Sequence, residues 1–296
     1  MSFPTCCPAR AVGTRYRERR FTAQDGLGLC YRDYGDPLST RRPLLCLGGL
    51  TRNAKDFHDF AGRLAAERRV VCPDYRGRGR SDYDPDWRNY RPETYVNDIF
   101  HLMAAANLHG AIVCGLSLGG LLAMGLSVVA PAQLAAVILD DVGPEVDDAG
   151  IERIRAYVGQ DRPQPDWPAA VAEVKRLFPT LGIDDEAGWR RFAEATFREA
   201  EDGRLHVDWD VALAKALRHD RHDLWVYYRA LRPFPVLAIR GALSDVLSAE
   251  TFARMAEVKP DLVRVTVAGV GHAPLLDHPE VAQAIDEFLA DIDRRP

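Results

Sequence analysis

Residues 110–130, GAIVCGLSLGGLLAMGLSVVA, decide the fold. They place Ser117 in a Gly-x-Ser-x-Gly frame between Gly115 and Gly119, after an apolar run typical of a strand and before a small-residue run typical of a helix. This context is what a nucleophile elbow requires, because the turn between strand and helix is tight and pushes the serine out above the sheet edge. A glycine-rich turn with a spectator serine is the alternative interpretation.

Short apolar runs alternate with helical patterns on both sides of this turn. The predicted strands are residues 43–47, 69–72, 111–114, 135–139, 235–239 and 263–267, and the predicted helices are residues 56–66, 92–108 and 279–292. Residues 15–35 predict a hairpin that turns at Asp25 and Gly26. The alternation favours the α/β class, with a doubly wound, mostly parallel sheet covered by helices on both faces.

The alternation breaks between residues 144 and 233, where helical patterns rich in Arg, Glu, Trp and Tyr replace the apolar strand runs. We interpret this segment as a helical lid inserted into a core of residues 1–143 and 234–296. An independent domain is the alternative, and it is disfavoured because strand patterns resume after the segment.

The composition of the chain limits the classes of partner that we expect it to bind. The chain has 296 residues, 47% of them hydrophobic, and a net charge of −5, which favours neither nucleic acid nor an anionic membrane as a partner. It has no apolar run long enough to span a bilayer and no apolar core of signal-peptide length near its start, so we expect a cytoplasmic protein. We expect reduced cysteines, a small-molecule substrate, and a monomer or homodimer.

A nucleophilic serine needs a base, and the base needs a third group to orient it. Asp245 and His272 each follow a predicted strand, at the sheet edge where reactive groups collect. The chain order Ser117, Asp245, His272 is the order expected for a catalytic triad on this architecture. Taken singly, Asp245 could be a helix cap or surface acid, and His272 a loop histidine.

With these residues in place, the chain resembles the α/β-hydrolase superfamily, in its lid-bearing esterase, lactonase and C–C hydrolase branch. The resemblance implies a cofactor-free serine hydrolase that cleaves a small or medium carboxylic ester or lactone through an acyl-enzyme. A C–C bond hydrolase and a slow-turnover ligand receptor are the alternatives. The motifs that carry the resemblance are DGLGLCYRDYGD at 25–36, LCLGGLTRN at 45–53, PDYRGRGRSD at 73–82, GLSLGG at 115–120, ILDDVGP at 138–144, RGALSDVLS at 240–248 and GVGHAPLLDHPE at 269–280.

The resemblance also implies an oxyanion hole formed by the backbone N–H groups of Leu50 and Leu118. Relatives commonly carry His-Gly where this chain has Gly-Gly at residues 48–49, so the role of that histidine must fall to other residues. Arg52 and Asn53 are the nearby candidates. Arg52 would either contact an acidic substrate group or form a salt bridge that supports the loop.

Other site residues are less defined by pattern. Some members of the superfamily place the triad acid after the strand that ends here at Asp140 and Asp141, although we favour Asp245. Asp141, Trp225 and Tyr228 are candidate substrate contacts, together with Arg52 and Asn53. The spacing of His219 and His222 could suit a metal, but no further histidine or cysteine accompanies them, so we predict no metal site.

Overall fold

A computed structural model, which describes residues 15–217 and 223–295, has an eight-stranded sheet at its centre. The strands of the described residues are β1 Tyr16–Thr22, β2 Gly28–Tyr34, β3 Leu44–Leu47, β4 Val70–Pro73, β5 Ala111–Leu116, β6 Leu134–Asp140, β7 Phe197–Glu199, β8 Leu205–Val207, β9 Val236–Gly241 and β10 Val263–Val267. Their α-helices are α1 His58–Leu64, α2 Pro92–Ala105, α3 Leu118–Val129, α4 Asp148–Val158, α5 Trp167–Leu177, α6 Glu186–Thr196, α7 Leu213–Ala216, α8 Trp225–Ala230, α9 Ala249–Val258 and α10 Pro279–Arg294.

The main sheet has the strand order β1-β2-β4-β3-β5-β6-β9-β10. Neighbouring strands from β4 onward pair in parallel, whereas β2 runs antiparallel to both β1 and β4. The hairpin of β1 and β2 turns at Gly26, whose φ of +90° suits glycine. The prediction of a mostly parallel sheet and of this hairpin is therefore confirmed.

Helices cover both faces of the sheet, because the side chains of each central strand point alternately to either side. On β5, Val113 packs in the cluster that includes residues of α2 and α3, whereas Ile112 and Cys114 pack with residues of α1 and α10. All three are fully buried. This two-sided burial explains why the central strands read as continuous apolar runs rather than as alternating ones.

The segment between β6 and β9 is mainly helical, with α4 to α8, but it also contains the short antiparallel hairpin β7–β8. The expectation that residues 144–233 lack strands was therefore wrong. Each strand has three residues, too short for a periodic pattern, although Asp202 and Gly203 supply a recognisable turn signal. The division of the chain into core and lid stays a prediction.

Helix length bears on membrane crossing. The longest helix of the described residues, α10, has 16 residues and buries one face formed by Val281, Ile285 and Phe288. Within residues 15–217 and 223–295, no helix has both the length and the apolar character needed to cross a bilayer.

Candidate active site

Ser117 lies at a tight turn between β5 and α3. Its backbone adopts φ 52° and ψ −115°, a conformation that a non-glycine residue rarely takes and that the surrounding structure must hold. The Ser117 N–H donates to the Asp140 carbonyl at 2.9 Å, which anchors the turn to β6. The backbone conformation and the strand-to-helix position are those of the predicted elbow.

The glycines on either side of Ser117 are required by space. A Cβ on Gly119 would lie 2.1 Å from the Leu47 carbonyl oxygen, and one on Gly115 would lie 2.4 Å from the Gly119 carbonyl. Neither position can therefore hold a side chain without a shift of the backbone. The Gly-x-Ser-x-Gly pattern thus records how closely α3 approaches β5 and β3.

His272 connects the serine to a buried carboxylate. Its Nε2 lies 3.0 Å from Ser117 Oγ, and its Nδ1 lies 2.8 Å from Asp141 Oδ2. Asp141, directly after β6, is completely buried, while the His272 side chain is 10% exposed. This line of three side chains has the geometry needed to take a proton from the serine and to stabilise the imidazolium that results.

The Asp141 carboxylate is held by the loop that follows β9. The Gly241 N–H donates to Oδ1 at 2.8 Å, and the Ser244 hydroxyl donates to Oδ2 at 2.6 Å. With His272 on the same Oδ2, the carboxylate has hydrogen-bond partners on both oxygens. These partners fix its orientation toward the imidazole and offset the cost of burying a charge.

The prediction that Asp245 would orient His272 was wrong. Asp245 instead receives two hydrogen bonds from Arg153 of α4, from Nε at 2.5 Å and from Nη2 at 2.8 Å. The hydrogen bond from Arg153 is the main cause that lowers the pKa of Asp245 below its usual value. The physical reason is that donors from the β9 loop point at Asp141, while Asp245 lies beyond them, where that loop meets α4. Asp141 is therefore the partner of His272, not a substrate contact.

The loop at residues 48–50 lies beside Ser117, since a Cβ on Gly49 would sit 3.7 Å from Ser117 Cβ. Two buried side chains hold its carbonyl groups: the Tyr75 hydroxyl donates to Gly48 O at 3.1 Å, and Arg78 Nε donates to Leu50 O at 2.8 Å. Among the hydrogen bonds of the described residues, none uses the N–H of Leu50 or Leu118 as donor. Both amides therefore remain available to an oxyanion, as the prediction requires.

Arg52 and Asn53 connect this loop to the end of α6. Arg52 pairs with Asp56 through Nε and Nη2 and donates from Nη1 to Thr196 Oγ1 at 2.9 Å. The salt-bridge interpretation of Arg52 matches the structure. Arg52 also lines the cavity described below, so a contact with substrate stays a prediction.

Asn53 is 1% exposed and lies outside the cavity lining. Its Nδ2 donates to Ala195 O at 2.9 Å, and its Oδ1 accepts from the Lys55 N–H at 3.0 Å. The prediction of a substrate contact was therefore wrong for Asn53, because Oδ1 caps the short helix at residues 54–57 and Nδ2 is bonded to protein acceptors.

Trp225 and Tyr228 were also wrongly predicted as substrate contacts. The Trp225 indole N–H donates to Glu145 Oε1 at 2.6 Å, and the Tyr228 hydroxyl donates to the Met255 carbonyl at 2.9 Å. Both side chains are buried in the core cluster beside α3 and lie outside the cavity lining. Their helical spacing marks a packed face, because α8 lies against α3.

A cavity of about 390 Å³ opens onto Ser117 and His272. The loop after β3 forms one wall, and the segment between β6 and β9 forms another. Residues of that segment that line the cavity include Arg153, Ile154, Tyr157, Phe178, Leu181, Ile183, Arg191 and Phe192. The cavity is large enough for a small ligand. The residues of its second wall were not singled out by sequence patterns.

Sequence patterns gave little indication that these residues line a cavity. Arg153 and Tyr157 are four apart on α4, a spacing that places them on one helical face, and this is the signal that could have identified them. Arg78 belongs to the motif at residues 73–82, and no role was predicted for it. Its complete burial and its bond to Leu50 O give it the loop-organising role expected of the missing histidine.

No cluster of three or more metal-ligating side chains occurs in the part of the chain that the structure describes. His219 and His222, whose spacing was considered above, lie outside the described residues.

Asp140, the neighbour of Asp141, is a second buried carboxyl group. Neither of its oxygens has a hydrogen-bond partner within the described residues. Burial, and then the negative charge of Asp141, raise the pKa of Asp140 well above its usual value. The folded protein therefore favours the neutral acid at this position.

We predict a pH signature from Asp140. Because the pKa of Asp140 is higher in the folded than in the unfolded protein, the folded state is stabilised by holding the proton. This contribution to the free energy of unfolding is complete below the unfolded-state pKa of about 3.9 and is lost as the pH rises toward the folded-state pKa. The stability of the wild type should therefore fall relative to that of Asp140→Asn as pH rises above 4. Urea unfolding of both proteins between pH 4 and 8 measures this difference, and parallel pH profiles would contradict it.

Comparison with known proteins shows the family to which this chain is similar. The family model described as the alpha/beta hydrolase family matches residues 44–284. A 3-hydroxybutyrate-oligomer hydrolase from Cupriavidus necator is 34% identical over 272 residues, which cover 88% of this chain and 92% of that protein. A 2-(acetamidomethylene)succinate hydrolase from Mesorhizobium japonicum is 28% identical over 83% of this chain and 87% of its own length.

Among solved structures, an alpha/beta hydrolase from Novosphingobium aromaticivorans superposes with a TM-score of 0.88 at 42% sequence identity. The match covers 94% of this chain and 99% of that chain. The likeness therefore includes the segment between β6 and β9 as well as the sheet.

Proposed function

Because the chain belongs to the alpha/beta hydrolase family, we propose that it is a serine hydrolase that cleaves small or medium carboxylic esters through Ser117, His272 and Asp141. The observation that carries this proposal is the continuous line from Ser117 Oγ through the His272 ring to Asp141 Oδ2, with contacts of 3.0 and 2.8 Å. A serine hydroxyl that contacts an imidazole oriented by a buried carboxylate is an activated nucleophile.

The reaction proceeds in two halves. Ser117 Oγ attacks the ester carbonyl while His272 Nε2 accepts the hydroxyl proton, and the Leu50 and Leu118 amides donate to the oxyanion. The carbon–oxygen bond of the leaving group then breaks, and His272 returns the proton to the departing alkoxide. Water repeats these steps on the acyl-enzyme, which releases the acid and restores the serine.

A linear ester is the substrate class suggested by one of the two relatives described above. The relative from Cupriavidus necator is named for 3-hydroxybutyrate oligomers, in which successive hydroxyacids are joined by ester bonds. The cavity of about 390 Å³ suits an acyl group of small or medium size. Its apolar lining by Ile154, Phe178 and Phe192 would pack an alkyl chain.

A kinetic panel tests the proposal. We expect prompt multiple turnovers of 4-nitrophenyl acetate, butyrate or octanoate, or of a linear 3-hydroxybutyrate dimer, and mass spectrometry of a rapid quench should show an acyl group on the peptide that contains Ser117. A lactone and a ring-fission dienoate complete the panel. Turnover of the dienoate without ester cleavage would contradict the ester assignment, and a single equivalent of product without further turnover would favour a slow receptor.

A further inference from the structure

Among the arginines that line the cavity, Arg153 pairs with a carboxylate that lies outside the cavity lining. Arg153 lines the cavity, whereas Asp245, which receives its two hydrogen bonds, does not. The other wall arginines with resolved ion pairs differ in this respect, since Arg52 and Arg191 pair with Asp56 and Asp59, which also line the cavity. The Arg153 guanidinium is therefore presented to the ligand space without a competing carboxylate in front of it.

The guanidinium retains donors for a second acceptor. An arginine has five N–H donors, and Asp245 takes one from Nε and one from Nη2. Within residues 15–217 and 223–295, no protein acceptor is hydrogen-bonded to Nη1. About a third of the Arg153 side chain is exposed, so these donors can reach a ligand.

The nearby Lys55 is a weaker candidate for the same task. Its Nζ is shared among Asp208 Oδ2, Glu194 O and Phe197 O, at 2.8, 2.7 and 3.3 Å. All three of its N–H donors are therefore occupied. Arg153 differs because its planar group holds Asp245 on one edge and leaves the other edge open.

We propose that Arg153 binds a free carboxylate on the substrate, so that the enzyme prefers esters whose acyl chain ends in a carboxylate over uncharged esters of equal length. This inference rests on the proposed ester hydrolysis and adds the substrate class. Asp245 keeps the guanidinium oriented and neutralises it when the site is empty, which lowers the cost of holding a partly buried cation. A charge-assisted bond from an arginine to a carboxylate is among the stronger polar contacts in proteins.

Matched substrates and variants test the proposal. The substrates are the 4-nitrophenyl monoester of glutarate and 4-nitrophenyl pentanoate, which differ by the terminal carboxylate. We expect Arg153→Gln to lower kcat/KM for the glutarate ester about 30-fold, mainly through KM, and to change kcat/KM for the pentanoate less than about 3-fold. Arg162→Gln, the same charge change on an exposed arginine outside the cavity, should leave the ratio unchanged.

The Asp245→Asn variant distinguishes two roles of Arg153: binding of the substrate carboxylate, and an ion pair that only joins α4 to the loop after β9. If the pair only joins these elements, Arg153→Gln and Asp245→Asn will affect both esters alike, which would overturn the proposal. If Arg153 binds the substrate carboxylate, Asp245→Asn will preserve or raise kcat/KM for the glutarate ester, because the cation remains and its competitor is neutral. Equal losses on both esters in Arg153→Gln would also overturn it.

A binding measurement tests the role of Arg153 without depending on ester hydrolysis. Calorimetric titration of Ser117→Ala with glutarate should give saturable binding that Arg153→Gln weakens about 30-fold. Absence of glutarate binding to Ser117→Ala would overturn the role of Arg153. Retained binding in a wild-type protein that hydrolyses neither ester would contradict the proposed hydrolysis while supporting the carboxylate site.

Discussion

Ser117→Ala is expected to lower kcat for a turned-over ester by about 10⁵-fold or more, because removal of the nucleophile leaves only binding and the oxyanion donors. Alanine keeps the Cβ that the φ of 52° already accommodates, so the elbow should persist. Steady-state assays on 4-nitrophenyl butyrate measure the loss, and unfolding curves of the two proteins should coincide within about 1 kcal/mol.

Ser127→Ala is the matched control. Ser127 lies on α3, buried, with its hydroxyl donating to the Met124 carbonyl at 2.7 Å and away from the cavity. Its replacement should leave kcat within about 2-fold. A Ser117→Ala protein that retains a tenth or more of the wild-type rate would show that the ester is cleaved by another group.

Asp141→Asn is expected to lower kcat by about 10⁴-fold, whereas Asp245→Asn should change it less than about 3-fold on an uncharged ester. The amide in Asp141→Asn cannot stabilise the imidazolium by charge, and it presents a donor where His272 Nδ1–H requires an acceptor. The Asp245 carboxylate is held by Arg153, so its neutralisation leaves the Ser117–His272 contact in place.

Asp140→Asn supplies the adjacent control, since Asp140 is buried beside Asp141 but has no bond to His272. Its kcat should remain close to that of the wild type. The same initial-rate assay measures all three variants. A 10⁴-fold loss of kcat in Asp245→Asn, with activity retained in Asp141→Asn, would show that Asp245, in the loop after β9, is the triad acid.

The sequence was sufficient to predict those features of the fold and site that leave a local pattern of residues. Ser117 was predictable because close approach of α3 to β3 forces glycine at residue 119, and this leaves a readable pattern. His272 was predictable because it follows the last strand of the sheet. The mostly parallel sheet was predictable from apolar runs that alternate with helices, whereas the order of its strands was not predicted.

The choice between two carboxylates depended on contacts that spacing does not encode. Asp141 and Asp245 follow β6 and β9, which are neighbouring parallel strands, so both arrive at the same edge of the sheet. The hydrogen bonds from Gly241 and Ser244 and the ion pair from Arg153 decide which one faces His272. These partners are distant in sequence from the residue they orient.

The cavity wall was the least predictable part. Trp225 and Tyr228 were predicted as substrate contacts, but α8 uses them to pack on α3. Arg153 and Tyr157 were not singled out from the sequence, yet both line the cavity that contains Ser117. Packing between helices, rather than pattern within one helix, determines which side chains meet a ligand.

The rate at which a fluorophosphonate modifies Ser117 tests the central claim most directly, because it reports activation of the serine without knowledge of the substrate. We predict similar second-order rates for the wild type and Asp245→Asn, and a rate about 10³-fold lower for Asp141→Asn, with mass spectrometry placing the adduct on Ser117. Wild-type reactivity in Asp141→Asn would contradict the account that Asp141, through His272, activates this serine.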